Sequence, residues 1–320
     1  MDKTRVLGER TGHVHGSLLI VFAQIHGNEL AGFHAVKSLF ATIDKEYARN
    51  PSFDFRGKIV ALQGNRQASE QGLRYISKDL NRHWIPEHIA SIQQQDNAKL
   101  DAEDIELKKN LATVHHYINS YRPKRLIVLD LHTTTAHGGL FIIPAMDEES
   151  RRISLEMHAP VLHGFLDRLE GTTLHYFNSK NFGVKTISIC FEAGQHKNPE
   201  SVQRAVSAII SCFTATDGFY SKDIEAKHKQ LLLSNARGLP REGQLVYVHH
   251  INKGDNFKMR TDKIYDNFDS IRKGEFLATD KNGPIYSPFD GLILMPLYQT
   301  QGNDGFFIID PIERAGWIGE

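Results

Sequence analysis

Long apolar runs in the first two thirds of the chain predict buried β-strands. A strand covered by helices on both faces is a continuous apolar run, whereas a half-exposed strand alternates apolar and polar residues. Continuous runs occupy residues 18–23, 58–63, 125–131, 140–144, 172–177 and 186–191. We therefore expect these segments to be strands of one well-covered sheet.

The segments between several of these runs carry a helical pattern. Apolar residues recur at a spacing near 3.6 in residues 29–42, 98–121 and 201–213, which is the spacing of one face of an α-helix. Strands that alternate with helices are typical of an α/β domain. The pattern therefore predicts an α/β fold with a mainly parallel or mixed sheet flanked by helices.

The pattern changes near Asp217. Beyond a charged stretch and the turn signal Gly238-Leu239-Pro240, short strand-like pieces are separated by Gly, Pro, Asn and Asp. The pieces lie at residues 245–249, 262–265, 275–278, 291–296 and 306–309. Short strands with this punctuation predict a small all-β domain. With a boundary near 218–235, the α/β domain is predicted at 1–220 and the C-terminal β domain at 221–320.

Composition narrows the function classes. Lys and Arg total 38, Asp and Glu total 38, and the formal net charge is 0, so neither a nucleic acid nor a membrane surface is expected as a partner. The expected partner is a small molecule, and the sequence allows a homo-oligomer. Two cysteines without a Cys-x-x-Cys pair exclude a cysteine-rich structural zinc site and favour a reducing compartment. Because no signal-peptide pattern begins the sequence, we predict a cytoplasmic protein.

Polar side chains follow three of the predicted strands. His26 and Glu29 come just after the first run, His132 follows the third, and Glu192 follows the last. Ligands of open α/β sheets bind at the carboxyl ends of strands. Two imidazoles and a carboxylate with one open position are typical of catalytic zinc, and a further carboxylate can handle protons. Asp130 faces the same side of its strand as His132 and could orient it. Taken alone, His132 could instead cap a strand end, and Glu192 could pair with an arginine.

A second polar segment, from Gly64 to Arg82, is too rich in glycine and polar residues for a core element. Arg74 and Arg82 can each bind a carboxylate through two N–H groups, and Asn81 can add a hydrogen bond. The alternative is a solvated loop in which Arg74 pairs with Asp79 at the surface.

An ordered set of motifs connects these segments. The set comprises His26-Gly27-Asn28-Glu29, Gly64-Asn65, Arg74-Tyr75, Asp79-Leu80-Asn81-Arg82, Asp130-Leu131-His132-Thr133 and Glu192-Ala193-Gly194. It resembles the succinylglutamate desuccinylase/aspartoacylase family, which is related to the zinc carboxypeptidases. The resemblance extends from about residue 17 to 195 and implies a zinc-carboxypeptidase-like mixed sheet flanked by helices, followed by a small C-terminal β domain.

The resemblance also implies the metal and the base. His26, Glu29 and His132 would bind one zinc ion per chain, and Glu192 would activate the attacking water. Zinc lowers the pKa of bound water to about 7, so the chemistry of these residue types agrees with these roles.

The resemblance further implies a substrate-binding set. Arg74 would polarise the scissile carbonyl group and hold the oxyanion, with Asp79 orienting it. Asn81 and Arg82 would hold the carboxylate of the amino-acid half. A cation and an arginine directed at the same oxygen stabilise the negative charge that develops there.

Departures from the family leave the acyl group and the side chain of the substrate open. Where aspartoacylases carry a C-terminal tyrosine, this chain has Phe306 and Phe307; where they carry an arginine ahead of the catalytic glutamate, it has lysines such as Lys180. Residues 133–139 hold no basic residue suited to an acyl-side dicarboxylate except His137. Specificity is therefore expected to depend on the surroundings of His137, Lys180 and Phe306.

The leading hypothesis is a zinc-dependent hydrolase that cleaves the amide bond of an N-acyl amino acid or a similar small, carboxylate-bearing amide. A carboxypeptidase-type metallopeptidase acting on short peptides shares the same site and is the nearest alternative. A non-catalytic zinc-containing binding protein is the alternative from another class, but it would need neither Glu192 nor Arg74.

Overall fold

The computed structural model describes residues 3–51 and 53–319. The strands are β1 (Val6–Thr11), β2 (Val14–Ala23), β3 (Asp54–Gln63), β4 (Leu126–Thr134), β5 (Phe141–Pro144), β6 (Val161–His163), β7 (Thr186–Gln195), β8 (Phe219–Tyr220), β9 (Glu242–His250), β10 (Lys258–Met259), β11 (Asp269–Ile271), β12 (Phe276–Asp280), β13 (Gly283–Tyr286), β14 (Gly291–Leu294) and β15 (Asp304–Pro311). The α-helices are α1 (Leu30–Arg49), α2 (Arg66–Glu70), α3 (Pro86–Gln93), α4 (Ala102–Tyr121), α5 (Glu148–Glu156), α6 (Thr173–Tyr176), α7 (Ser179–Phe182), α8 (Glu200–Thr214) and α9 (Lys222–Asn235). Single 3-10 turns include Leu80–Arg82.

One large mixed sheet organises the molecule, with the strand order β1-β3-β2-β4-β7-β5-β6-β9-β15-β14-β11. Its centre is parallel, because β3, β2, β4 and β7 all run in the same direction. β5 is antiparallel to β7. Further along the sheet, β9, β15, β14 and β11 each pair antiparallel with the next strand. The predicted fold class is confirmed: a mixed sheet flanked by helices, with an antiparallel β region at the C-terminal end.

Helices cover both faces of the parallel centre. Successive strand residues point to opposite faces, so Leu19 and Val21 pack with residues of α1 and α8, whereas Leu18 and Ile20 pack with residues of α4. All four strand residues are fully buried. This two-sided burial explains why the strands read as continuous apolar runs.

Two predicted strands are wrong. Residues 172–177 contain α6, which begins with a capping box. The side chain of Thr172 accepts the backbone N–H of His175, and the side chain of His175 accepts the backbone N–H of Thr172. Residues 262–265 form no strand, and the next strand is β11. There the side chain of Tyr265 is buried, and the backbone N–H of Tyr265 donates to the hydroxyl of Tyr298 at 2.8 Å. A hydrogen bond to a side chain therefore replaces strand pairing at this residue.

Elements on the two sides of the predicted boundary after residue 220 are in direct contact. α9 packs against α8 of the α/β layer, and β9 pairs parallel with β6. The C-terminal strands β9, β15, β14 and β11 therefore extend the same sheet, whereas β10, β12 and β13 form a separate small sheet. The division at residue 220 stays a prediction. Within the described residues, no helix has both the length and the apolar character that a membrane span requires.

Candidate metal centre and active-site cavity

Three polar strand ends meet because their strands are neighbours. β2, β4 and β7 lie side by side and parallel, so their carboxyl ends reach the same edge of the sheet. His26 lies in the turn after β2, and Glu29 immediately precedes α1. His132 lies in β4 with Glu192 as its register partner in β7. All four side chains line one cavity.

The turn that carries His26 is shaped for the close approach of a second segment. Glu29 donates its backbone N–H to the carbonyl of His26 at 3.2 Å, and Gly27 donates to the carbonyl of Arg74 at 3.0 Å. A Cβ atom at position 27 would lie 2.3 Å from the backbone nitrogen of Ser69. Only glycine therefore allows the Arg74 segment to pack against this turn.

His26, Glu29 and His132 form a buried cluster whose donor atoms could hold a metal ion. The Nδ1 atoms of the two imidazoles lie 3.2 Å apart. Oε1 of Glu29 lies 2.8 Å from Nδ1 of His26, and Oε2 lies 3.1 Å from Nδ1 of His132. Two nitrogens bound at about 2.0–2.1 Å to one tetrahedral ion are about 3.3 Å apart. The donor set and its spacing therefore fit zinc.

A further carboxylate lies behind each imidazole. Oδ1 of Asp79 lies 3.1 Å from Nε2 of His26, and Oδ2 of Asp130 lies 2.9 Å from Nε2 of His132. The Asp130 contact is a close ion pair rather than a well-aligned hydrogen bond. Carboxylates in this position orient metal-binding histidines and select their tautomer. The predicted position of Asp130 behind His132 is confirmed.

The charges of this cluster favour a cation at its centre. Burial lowers the pKa of His132, but Asp130 and Glu29 outweigh burial and raise that pKa well above its usual value. Burial likewise opposes ionisation of Glu29, yet His26 and His132 hold its pKa well below the usual value. Surroundings that stabilise a protonated imidazole between carboxylates also stabilise a divalent ion.

Glu192 lies buried beside the cluster, at 7% exposure. Its Oε2 makes no hydrogen bond to any described residue. Burial raises the pKa of Glu192 to about 8; Glu29 adds to this rise, whereas His132 and Arg74 oppose it. A carboxyl group with a pKa in this range can accept and return a proton near neutral pH.

Arg74 reaches the cluster from the segment after β3. Its Nε and Nη2 donate to Oδ2 of Asp79 at 3.2 and 3.0 Å, and its Nη1 lies 3.4 Å from Oε1 of Glu29. Burial lowers the pKa of Arg74, but Asp79 and Glu29 outweigh burial and raise it. The side chain is only 15% exposed, so the surface-pair interpretation of Arg74 and Asp79 is wrong.

Glu103, on α4, anchors the segment that carries Arg74 and was not identified from the sequence. Its side chain is fully buried. It accepts three consecutive backbone N–H groups, at residues 76–78, over 2.7, 2.9 and 3.3 Å. A glutamate in the first turn of a charged helix is usually solvated, so no local signal distinguished it.

Asn81 and Arg82 also line the cavity, but each already has a protein partner. Oδ1 of Asn81 accepts the N–H of Thr173 at 2.9 Å, which leaves the amide NH2 group of Asn81 as its donor. Nη2 of Arg82 donates to Oδ2 of Asp304 at 2.5 Å, so a carboxylate from β15 balances the charge of Arg82. The two residues are 222 positions apart in the chain, and no sequence pattern linked them.

The cavity, of about 120 Å³, is lined by two contrasting groups of side chains. The polar wall consists of His26, Glu29, Arg74, His132 and Glu192. The apolar wall consists of Ile143, Phe165, Leu169, Leu174, Cys190 and Phe307. The two walls meet on β7, where Cys190 and Glu192 have the same strand parity.

Other lining residues differ from those expected to decide specificity. His137, Lys180 and Phe306, all of them described, do not line the cavity. Phe306 is buried and stacks against His249, whereas the next residue on the strand, Phe307, points to the cavity. That part of the expectation is wrong because strand parity directs the neighbouring phenylalanine inward.

His196 lines the cavity and was not predicted to do so. Its Nδ1 lies 2.7 Å from Oγ1 of Thr133, and burial lowers the pKa of the imidazole. His196 therefore supplies a neutral ring beside the cluster of His26, Glu29 and His132. The only signal for His196 in the sequence was that it directly follows β7, the strand that carries Glu192.

Comparison with known proteins agrees with this geometry. The family model "Succinylglutamate desuccinylase/Aspartoacylase catalytic domain" matches residues 15–212. A probable aspartoacylase of Nostoc sp. is 39% identical over 119 residues, which cover 37% of this chain and 35% of that protein. The aspartoacylase of Xenopus tropicalis is 33% identical over 198 residues, or 58% of this chain and 56% of that protein. The matched stretches thus span between about a third and a half of these relatives' own length.

The fold matches solved structures over nearly its whole length. The succinylglutamate desuccinylase of Chromobacterium violaceum superposes with a TM-score of 0.58 at 17% identity, over 95% of this chain and 88% of that one. At this identity the likeness concerns the fold alone. Because the family model matches more than half of the chain, including His26, Glu29, His132 and Glu192, the chain belongs to the succinylglutamate desuccinylase/aspartoacylase family.

Proposed function

We propose that this protein is a zinc-dependent hydrolase that cleaves the amide bond of an N-acyl amino acid or of a similar small amide with a free carboxylate. One observation carries the proposal: the buried His26, Glu29 and His132 donor set lies in one cavity with Glu192, whose Oε2 has no hydrogen-bond partner among the residues that the structure describes. The matching family, named for succinylglutamate desuccinylase and aspartoacylase, and the relative named aspartoacylase support the same reaction class.

His26, Glu29 and His132 would hold one zinc ion, with Asp79 and Asp130 orienting the imidazoles. When bound, zinc supplies Lewis-acid chemistry that polarises a carbonyl group and acidifies water. Glu192 takes the proton of the attacking water at Oε2. It then returns that proton to the nitrogen of the leaving amine, as a carboxyl group with an intermediate pKa can.

Arg74 stabilises the oxygen on which negative charge develops. Its contacts with Asp79 and Glu29 fix the guanidinium group before the reaction, so little reorganisation is needed. Asn81 and Arg82 bind the carboxylate of the amino-acid half through the donors that Thr173 and Asp304 leave available.

Metal analysis of the purified protein tests the centre. We expect one zinc per chain in the parent protein and little or none in the His26→Ala variant, because a two-ligand remnant binds weakly. Equal zinc content in the two proteins would refute the metal centre. The His13→Ala variant is a matched control, since His13 is exposed and distant in the fold.

The Glu192→Gln variant tests the base. It should retain zinc and lose turnover of N-acyl amino acids, because an amide cannot accept the proton. Retained turnover would remove Glu192 from this role. Dipeptides in the same substrate panel test the peptidase alternative, which would be supported if they were hydrolysed faster than every N-acyl amino acid.

We further propose that the protein acts in the cytoplasm. Both cysteines, Cys190 and Cys212, are free and buried, which suits a reducing compartment. Localisation of the tagged full chain by fractionation tests this, and recovery outside the cytoplasmic fraction would contradict it.

A further inference from the structure

The apolar wall is a packed surface of the core. Ile143, Phe165, Leu174, Cys190 and Phe307 belong to one cluster of buried residues, against which Leu169 also packs. The ring centroids of Phe165 and Phe307 lie 5.3 Å apart, and Ile143 is the register partner of Cys190 between β5 and β7. Because neighbours hold these side chains in place, a ligand that contacts them meets a preformed surface of hydrocarbon and thiol.

Such a surface discriminates between ligand groups by their hydration. An aliphatic or aromatic group gains free energy when it leaves water for the apolar wall. A carboxylate in the same place loses its hydration and finds only the weak S–H donor of Cys190 on these side chains. The apolar wall therefore favours an uncharged, apolar part of a ligand.

Of the cationic side chains in the cavity, one is available to bind a ligand carboxylate. Among the described lining residues, Arg74 and Arg82 are the arginines, and none is a lysine. Arg74 belongs to the polar wall, where Asp79 and Glu29 engage it. Arg82 is left for the carboxylate of a ligand, and it shares its charge with Asp304.

Asp304 is held in the cavity from two sides. It is 8% exposed, its Oδ2 accepts from Nη2 of Arg82 at 2.5 Å, and its Oδ1 lies 2.7 Å from Nδ1 of His250. A second carboxylate on the ligand near Arg82 would face this negative charge at short range. Like charges brought together in a poorly solvated site are strongly disfavoured.

We propose that the cavity selects substrates with one carboxylate and one apolar group, either an aliphatic or an aromatic side chain or an acyl chain. The apolar wall receives that group, and Asp304 is a specificity residue that disfavours dicarboxylates such as acyl-aspartate. This inference rests on the proposed function and names its substrate class.

Binding to the zinc-loaded Glu192→Gln protein, measured by calorimetry, tests the preference without turnover. We expect N-acetyl-L-leucine and N-acetyl-L-phenylalanine to bind at least tenfold more tightly than N-acetyl-L-aspartate. Equal or tighter binding of N-acetyl-L-aspartate overturns the inference, and so does failure of both apolar ligands to bind. If the parent protein hydrolyses none of these compounds, the proposed function fails while the binding ratio still decides the selectivity.

Two substitutions test the residues behind the preference. Asp304→Asn removes the opposing charge, and Leu169→Arg adds a cation to the apolar wall. Each should raise the affinity for N-acetyl-L-aspartate relative to N-acetyl-L-leucine about tenfold, with zinc content unchanged. The matched controls are Asp310→Asn, exposed on the same strand as Asp304, and Leu155→Arg on the exposed side of α5. A ratio that stays at the parent value in both test variants overturns the assignment.

Discussion

The polar wall and the apolar wall line the same cavity, but they come from different parts of the fold. The polar wall depends on the ends of β2, β4 and β7, together with the segment that carries Arg74. The apolar wall combines β5 and β7 with the segment from Phe165 to Leu174 and with Phe307 on β15. Strand ends thus supply the chemistry, whereas packing between distant segments supplies the shape. Substitutions in the two walls should therefore affect different measurable properties.

The largest effect is expected for Glu192→Gln in the metal-free protein. Below about pH 4.5 the carboxyl group of Glu192 is protonated in the folded and the unfolded state, so it adds no pH dependence. Above about pH 8 it is ionised in both states, and the folded state bears the cost of a buried charge. The free energy of unfolding of the parent should therefore fall as pH rises from 4.5 through 8, and the variant should lack this fall. Near pH 9 we expect the variant to be more stable by on the order of 5 kcal/mol.

Denaturant unfolding at several pH values, with chelator present, measures this difference. The exposed variant Glu70→Gln is the control, and its stability should follow the parent at every pH. A Glu192→Gln variant that shows the same pH dependence as the parent would mean that Glu192 is not the buried acid that the structure indicates.

Arg74→Ala should reduce kcat by about a hundredfold to a thousandfold, the usual effect of losing one oxyanion donor. Zinc content should stay near the parent value, because Asp79 and Glu29 keep their contacts with His26. Arg66→Ala is the control, since Arg66 is an exposed arginine from the same segment. If both variants lose activity equally, Arg74 acts through the segment rather than on the substrate.

Asp130→Asn should weaken zinc binding about tenfold to a hundredfold, as loss of a carboxylate behind a metal-binding histidine does. The amide no longer favours positive charge on His132, and it still accepts from the hydroxyl of Thr173, now 2.6 Å from Oδ2 of Asp130. Competition with a chromophoric chelator measures the affinity. An unchanged affinity would show that Asp130 serves packing alone.

Phe165→Leu tests the apolar wall and should have the smallest effect. Because the replacement keeps an apolar group of somewhat smaller volume, we expect a loss of stability of about 1 kcal/mol. Zinc affinity should match the parent, while KM for N-acetyl-L-phenylalanine changes more than KM for N-acetyl-L-aspartate. A loss of zinc in this variant would contradict the expectation that substitutions in the two walls affect different properties.

Much of the polar wall could be predicted because its signals are local. An apolar run followed at once by His26, His132 or Glu192 predicts a strand end with a functional side chain. Parallel neighbours then bring such ends together. The same reasoning failed at residues 172–177, where capping by Thr172 and His175 stabilises a helical turn in an otherwise strand-like run. Here local side-chain hydrogen bonds outweighed the preference of this apolar run for a β-strand.

Sequence alone determined the strands of the parallel centre, the polar residues at their ends and the reaction type that those residues favour. Each of these depends on the order of apolar and polar residues within a short window, which burial in a sheet imposes directly. Only the tertiary structure decided that β9, β15, β14 and β11 continue the sheet from β6, that Asp304 balances Arg82, and that Phe307 rather than Phe306 lines the cavity. These contacts join residues far apart in the chain, and packing and strand parity select them without leaving a local pattern.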